Sequence, residues 1–226
     1  MNLFTSYLRH LFYFIYKRFI TLEKGYARLL LLRGVLAIDK KLNFRFLKEY
    51  SRRQHDGFSL KDEQKIVEIM KKRIIEIGSG MGYWGLHLKG SGREIVGIDL
   101  SKPYLVLTKM VGAYDSLIRA SAVALPIRPK IFDTALAIEV IEHVDRQSGY
   151  PLIKEAKCAS DCVIVLTPQN PFKIIDLKTT KFAKHIPETE KHLSKWTEED
   201  FRREGFSTLI LGESILAICI DHTKKD

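Results

Sequence analysis

From Lys72 onward the chain alternates short apolar runs with helical stretches, and this rhythm constrains the fold more than any other feature. Strands are expected at Arg73–Ile77, Glu94–Ile98, Leu117–Arg119, Thr134–Ile138 and Cys162–Leu166, with helices near Tyr83–Leu88, Pro103–Gly112 and Tyr150–Ala159. Strand and helix in alternation signal a parallel sheet, because a parallel return needs a crossover. After Trp196 one more helix, TEEDFRRE, runs to Gly205, and the runs Thr208–Leu211 and Ile215–Ile220 then flank Gly212 and Glu213. So short a connection makes the last two strands antiparallel. The expected architecture is α/β and Rossmann-like: seven strands, five parallel ones closed by an antiparallel C-terminal hairpin, with helices on both faces, in a domain spanning residues 73–226.

Residues 1–72 read as a basic helical extension. Residues 1–73 hold 17 Lys/Arg against 7 Asp/Glu, and residues 74–226 hold 20 against 20, so the net charge of +10 belongs entirely to the front of the chain. Such asymmetry bears on partner surfaces rather than on fold. The stretch YLRHLFYFIYKRFI (7–20) is interrupted by Arg9, His10, Lys17 and Arg18 and is too short between charges to span a bilayer, which needs roughly 20 apolar residues. As a helix it carries an aromatic stripe through Phe4, Leu8, Leu11, Phe12 and Ile15. Packing on the protein's own domain or a second subunit is the expected use of that stripe, with peripheral membrane contact through residues 1–20 as the alternative and nucleic acid behind both. Further helices are expected over Glu23–Ile38, over LNFRFLKEYSRRQ (42–54), and from a Ser59 cap through Lys72.

Three cysteines, Cys158, Cys162 and Cys219, are an odd set without a signal-peptide pattern, which points to a reducing, cytoplasmic compartment and to buried free thiols.

The stretch IIEIGSGMGYWG (74–85) poses the cofactor question. Glycines directly after a first strand let the backbone turn sharply and approach a ligand closely. From Gly80 the stretch spells GxGxxG (Gly80, Gly82, Gly85), a dinucleotide pattern; from Glu76 it spells ExGxGxG (Glu76, Gly78, Gly80, Gly82). The apolar run Ile74–Ile77 ends against Gly78, so the turn begins there and the GxGxxG register starts two residues late. Asp99 ends the second strand, 21 residues after Gly78, where a carboxylate can accept hydrogen bonds from ribose hydroxyls.

The later landmarks separate the two ligands. IDLS (98–101), ALPI (124–127), FDTALAIEVIEHV (132–144) and VLTPQNP (165–171) follow in an order and spacing that resembles class I methyltransferases using S-adenosylmethionine, over Arg73 to Ile220. Within that superfamily the chain is most similar to the small-molecule branch acting on quinones and other metabolites. The resemblance implies that Glu76 and the loop Gly78, Ser79, Gly80, Gly82 hold the methionine end of S-adenosylmethionine, that Asp99 holds the ribose, and that Leu100, Ser121, Ala122 and Glu139 complete the cofactor site. Many relatives place an acidic or amide residue against the adenine amino group, as in GDA; here the stretch is ASA, and the uncharged Ser121 shifts adenine recognition toward backbone and Leu100.

Methyl transfer from a sulfonium is an in-line displacement in which the protein mainly aligns the nucleophile. An oxygen nucleophile also needs a base or a metal. Glu139, Glu142 and His143 follow the fourth strand, in the crevice where open α/β sheets bind ligands, and His143 is suited to general-base work near neutral pH. Ubiquinone-biosynthesis O-methyltransferases share the EVxEH pattern and associate it with a divalent metal, which would make Glu139, Glu142 and His143 a Mg²⁺ site. The small number of oxygen ligands favours the alternative without metal, in which Glu139 touches the cofactor while Glu142 and His143 cap the next helix. The long segment from Pro168 to Trp196 contains KHIPETEKHLSKW and reads as a lid or binding loop, with His185, His192 and Trp196 as candidates. His192 stands as a second catalytic candidate, against a structural bond to the loop backbone; Trp196 stands against a role seating the last helix.

The function these features support is methyl transfer to an oxygen of a small molecule, apolar or membrane-resident. The competing readings are an RNA or protein methyltransferase using the basic front as a polyanion footprint, and a non-catalytic S-adenosylmethionine-binding module. Against the nucleic-acid reading, EVIE stands where N-methylating enzymes carry an NPPY-like tetrapeptide.

Overall fold

The computed structural model describes residues 39–40, 60–171 and 191–221. The expected helices within 1–59, the aromatic stripe of residues 1–20, the Ser59 cap and His185 lie outside the described residues. In chain order the elements are α1 (Leu60–Ile69), β1 (Arg73–Ile77), α2 (Tyr83–Leu88), β2 (Glu94–Asp99), α3 (Lys102–Val111), β3 (Ser116–Arg119) and β4 (Phe132–Ile138). A 3₁₀ turn (Ile141–His143), α4 (Arg146–Ala159), β5 (Ser160–Pro168), α5 (Glu198–Arg203), β6 (Ser207–Leu211) and β7 (Ser214–Ile220) follow. Among the described residues no helix is long and apolar enough to cross a membrane.

One seven-stranded sheet runs in the order β3-β2-β1-β4-β5-β7-β6. The five strands from β3 to β5 are parallel, and β7 pairs antiparallel with both β5 and β6. The central strands are buried on both faces, which is why they read as near-continuous apolar runs. Ile75 and Ile77 look toward a core built with Leu152, Ile153 and Ala156 of α4, Trp196, and Phe201 of α5. Ile74 looks the other way, into a core with Ile66 of α1 and Tyr83, Trp84 and Leu88 of α2. Helices therefore cover both faces. Strand order reverses between β1 and β4, and the C-terminal ends of those two strands open the crevice that forms a ligand site in sheets of this kind.

Helix α4 begins at Arg146, four residues before the expected Tyr150. Asp145 is its N-cap and accepts from the backbone N–H groups of Gln147 and Ser148, and Pro151, which had marked the start, lies inside the helix at the loss of one backbone bond. The same cap corrects the expectation for Glu142 and His143: neither caps the helix, because Asp145 already does. Among the thiols, Cys162 is buried and Cys219 half-buried as expected, but Cys158 is exposed, on the solvent side of α4.

A candidate cofactor crevice beside a carboxylate and histidine cluster

Between β1 and α2 the chain turns through Gly78, Gly80 and Gly82, all with positive φ (73°, 48° and 85°), a conformation that costs other residues strain. Gly78 is needed for a second reason: a Cβ there would lie 2.5 Å from Val140 Cγ2. The loop of β1 and the turn after β4 thus lie against each other, and both line one crevice. The loop is pinned from below, since Gly78 and Ser79 both donate their backbone N–H to the Ile98 carbonyl at 2.8 Å.

Asp99 ends β2 beside that loop. Its Oδ2 accepts from the Gly80 N–H at 2.8 Å and its Oδ1 from the Ser101 N–H at 2.7 Å. These two backbone bonds fix the orientation of the carboxylate beside the loop. Leu100, the next residue, is 53% exposed, an open apolar surface beside that carboxylate. Ser121 and Ala122 lie in the turn after β3, half-buried, with Ser121 bridged to Ala124. The Ser121 hydroxyl accepts a long bond from the Val123 N–H at 3.4 Å.

Glu76 is buried within β1, and burial pushes its carboxyl up to about 8, against the opposing hydrogen bond from Tyr114. The Tyr114 hydroxyl donates to Glu76 Oε2 at 2.7 Å and lies 3.2 Å from the Ser79 carbonyl.

The turn after β4 carries the other half of the crevice. Glu139 is a non-glycine residue at φ 54°, and its N–H bonds the Leu166 carbonyl of β5 at 2.8 Å. Strained backbone of this kind gathers at functional sites. Beyond it Glu142 is fully buried: Oε2 accepts from Thr167 Oγ1 at 2.9 Å, while Oε1 has no hydrogen-bond partner among the described residues. His192 lies against His143, their ring centroids 4.7 Å apart. Glu142, His143 and His192 each present one ligand atom within 4.8 Å of the others.

The two rings are oriented by backbone. His143 Nδ1 faces the Lys191 carbonyl at 3.2 Å and His192 Nδ1 faces the Pro171 carbonyl at 2.6 Å. A carbonyl can only accept, so each bond requires the proton on Nδ1, and in the neutral ring that tautomer leaves Nε2 as the acceptor. His192 does make the backbone bond expected of a structural residue, yet that bond also prepares its other nitrogen. The segment carrying it docks on the 3₁₀ turn: the N–H groups of Leu193 and Ser194 both bond the Glu142 carbonyl, and Ser194 Oγ donates to the Ile141 carbonyl at 3.1 Å. Trp196 is fully buried, donates from Nε1 to Ser194 Oγ at 3.0 Å and packs on Phe201, so it seats the last helix rather than facing a ligand.

The candidates from sequence therefore fall into two neighbouring groups. Glu76, Gly78, Ser79, Gly80, Gly82, Asp99 and Leu100 lie on or beside the β1 loop, and Glu142, His143 and His192 form the cluster; Glu139 follows β4, and Ser121 and Ala122 lie apart in the turn after β3. Sequence reasoning missed Tyr114 and Thr167. Thr167 lies within the quoted TPQNP stretch, and Tyr114 was legible only as an aromatic residue two positions after a helix-ending glycine.

The cluster passes a chemical test as a cation site. A buried carboxylate oxygen without a partner costs about 1–3 kcal/mol, and more when charged, unless something binds it. A cation beside two imidazole lone pairs answers that cost, and the carbonyls behind each Nδ1 are the outer-shell partners that ligating histidines have.

Residues 75–158, from β1 to the end of α4, match a family profile described as a methyltransferase domain. No curated protein sequence matches the chain. Among solved structures, a protein from Pyrococcus horikoshii OT3 is similar at 18% identity, with 76% of this chain and 91% of that chain covered and a TM-score of 0.57. An S-adenosylmethionine-dependent methyltransferase from Thermotoga maritima is similar at 21% identity, with 78% and 97% covered and a TM-score of 0.56. The small RNA methyltransferase HEN1 aligns at 20% identity over 73% of this chain but 26% of its own, with a TM-score of 0.52. Likeness at these identities is a likeness of fold.

Proposed function

We propose the following reaction for this chain, which carries a class I S-adenosylmethionine-dependent methyltransferase domain and takes its methyl group from S-adenosylmethionine: transfer to an oxygen atom of a small molecule seated over Glu142, His143 and His192. The observation that carries the reading is the buried Oε1 of Glu142, without a hydrogen-bond partner among the described residues, where Glu142, His143 and His192 each bring one ligand atom within 4.8 Å of the others.

Glu76 and the Gly78–Gly82 loop receive the methionine end of the donor, Asp99 takes the ribose hydroxyls, and Leu100 with Ser121 and Ala122 border the adenine. Glu139, at its left-handed turn after β4, precedes the cluster in the chain. In the transfer, the acceptor oxygen attacks the methyl carbon, the carbon–sulfur bond breaks with its pair going to sulfur, and the acceptor's proton passes to water. Alignment of these atoms is the protein's main contribution.

Oε1 of Glu142 and Nε2 of His143 and His192 would hold a divalent cation. One carboxylate with two imidazoles suits Mn²⁺, Fe²⁺, Co²⁺ or Zn²⁺ better than Mg²⁺, which prefers an all-oxygen shell. Such an ion supplies Lewis acidity that favours the deprotonated oxygen of the acceptor. Thr167 holds the carboxylate in place, and the Pro171 and Lys191 carbonyls hold the rings. Leu193, 53% exposed and hydrogen-bonded through its backbone to the Glu142 carbonyl, gives the entrance an apolar edge, in keeping with an apolar acceptor.

The second reading is RNA methylation. It is supported by the excess of 17 Lys/Arg over 7 Asp/Glu in residues 1–73. One experiment separates the two. The full chain is incubated with methyl-labelled S-adenosylmethionine and either a panel of phenols and catechols or short RNA, before and after chelation and Mn²⁺ add-back. O-methylated phenol or catechol that disappears on chelation and returns with Mn²⁺ is the expected result. Label on RNA alone would favour the second reading. Phenol methylation indifferent to chelator would return His143 and His192 to the role of proton acceptors through Nε2.

A further inference from the structure

The Tyr114 ring lies against two glycines, Gly85 and Gly97, closer than a Cβ would allow, and in ordinary contact with a third, Gly82. A Cβ on Gly85 would lie 2.7 Å from Tyr114 Cε1, one on Gly97 3.0 Å from Cγ and Cδ2, and one on Gly82 3.5 Å from Cε2. Gly85 has no positive φ and lies inside α2, so no turn demands it. There it makes room for the Ala113 carbonyl, also 2.7 Å away, together with this ring, and Gly97 in the middle of β2 makes room for Leu117 Cδ2 at 2.9 Å beside the ring. The hydroxyl at the ring's end then reaches Glu76 Oε2 at 2.7 Å, with the Ser79 carbonyl 3.2 Å away, linking the last buried acid of β1 to the cofactor loop.

We infer that Tyr114 is a positioning residue of the cofactor site: with its ring seated against Gly85 and Gly97, its hydroxyl fixes one oxygen of Glu76 and leaves the other Glu76 oxygen to the cationic amino group of the donor's methionine end. This rests on the assignment of Glu76 to that end of the cofactor. The phenol is a donor that stabilises the carboxylate form, which burial otherwise disfavours. Few other charges act there. Glu76 lies opposite Gly97 of β2 and Leu136 of β4, neither titratable; Asp99 at the end of β2 opposes ionisation of Glu76; and α2 contributes His87, stacked on Tyr83. Binding a cation at Glu76 therefore draws on Tyr114 directly. The arrangement also accounts for the spurious dinucleotide register: Gly85 completes GxGxxG where α2 packs closely on the Ala113 carbonyl and the Tyr114 ring.

The test is titration of the full chain with S-adenosylhomocysteine from pH 6 to 9 in the wild type, Tyr114→Phe, Glu76→Gln and the double variant. Phenylalanine keeps the ring in its slot, so folding is preserved. Tyr114→Phe is expected to weaken binding at pH 7 about tenfold, the effect of losing one hydrogen bond to a charged group, and to move the rising limb of affinity to higher pH. In the Glu76→Gln background the same change is expected to cost less than twofold. Gly97→Ala, which presses on both Leu117 and the ring, is expected to shift the limb in the same direction. Equal losses in both backgrounds with an unmoved pH profile would overturn the role of Tyr114 alone. A wild type that binds no S-adenosylhomocysteine at any pH would overturn the cofactor assignment and this inference with it.

Discussion

Thr167 Oγ1 donates to Oε2 of Glu142 across 2.9 Å at the C-terminal end of β5, and this bond decides which carboxylate oxygen is left for a ligand. Thr167→Val keeps the shape and removes the donor. It is expected to weaken divalent-cation affinity by about 10–100-fold, as loss of an outer-shell partner does. Titration of Mn²⁺ into the variant checks this, with an unchanged circular dichroism spectrum as the control for folding.

Gly149 of α4 faces the indole of Trp196. A Cβ at 149 would lie 2.1 Å from Trp196 Cζ2, too close for any side chain without movement of the indole. Arg146 covers the same indole, its guanidinium carbon 4.1 Å from the ring centroid, and its Nη1 donates to the Lys195 carbonyl at 2.8 Å. Gly149→Ala is expected to destabilise the fold by about 1–3 kcal/mol, the usual cost of overpacking. The displaced Trp196 would also release Ser194 from the 3₁₀ turn, so the urea midpoint and Mn²⁺ affinity should fall together.

Strands were legible because burial on both faces leaves an apolar run, and the hairpin because the short link at Gly212 and Glu213 permits one geometry only. The start of α4 was not, since Pro151 is a louder local signal than the Asp145 cap that overrides it. The loop and strand end proposed for the cofactor were readable because one short glycine turn and one acidic strand end carry them. The cluster was harder to read. His143 and His192 meet through the docking of Leu193, Ser194 and Trp196 on the turn after β4, a tertiary relation with no local period. Tyr114 was hidden for the same reason: its partners Glu76, Ser79, Gly85 and Gly97 come from three separate elements.

Buried Glu76 makes stability depend on pH. Its carboxyl rises from an ordinary value of 4.5 to about 8 in the folded chain, mainly by burial. Between those values the unfolded chain has lost a proton that the folded chain keeps, so stability is full below pH 4.5, falls as pH rises and levels off above about 8. The slope contributed by this group is on the order of 1 kcal/mol per pH unit. Urea midpoints from pH 5 to 9 should decline in the wild type and decline less in Glu76→Gln. Parallel curves would show that Glu76 ionises normally.

The central claim is that Glu142, His143 and His192 form one cation-binding centre beside the donor site. Calorimetric titration of Mn²⁺ into the full chain tests it most directly, repeated for Glu142→Gln, His143→Ala and His192→Ala, with S-adenosylhomocysteine binding measured on each. The account predicts one Mn²⁺ per wild-type chain, loss of that site in all three variants, and donor-site binding kept within a few-fold. Absence of Mn²⁺ binding in the wild type, or a site that survives all three substitutions, would contradict it.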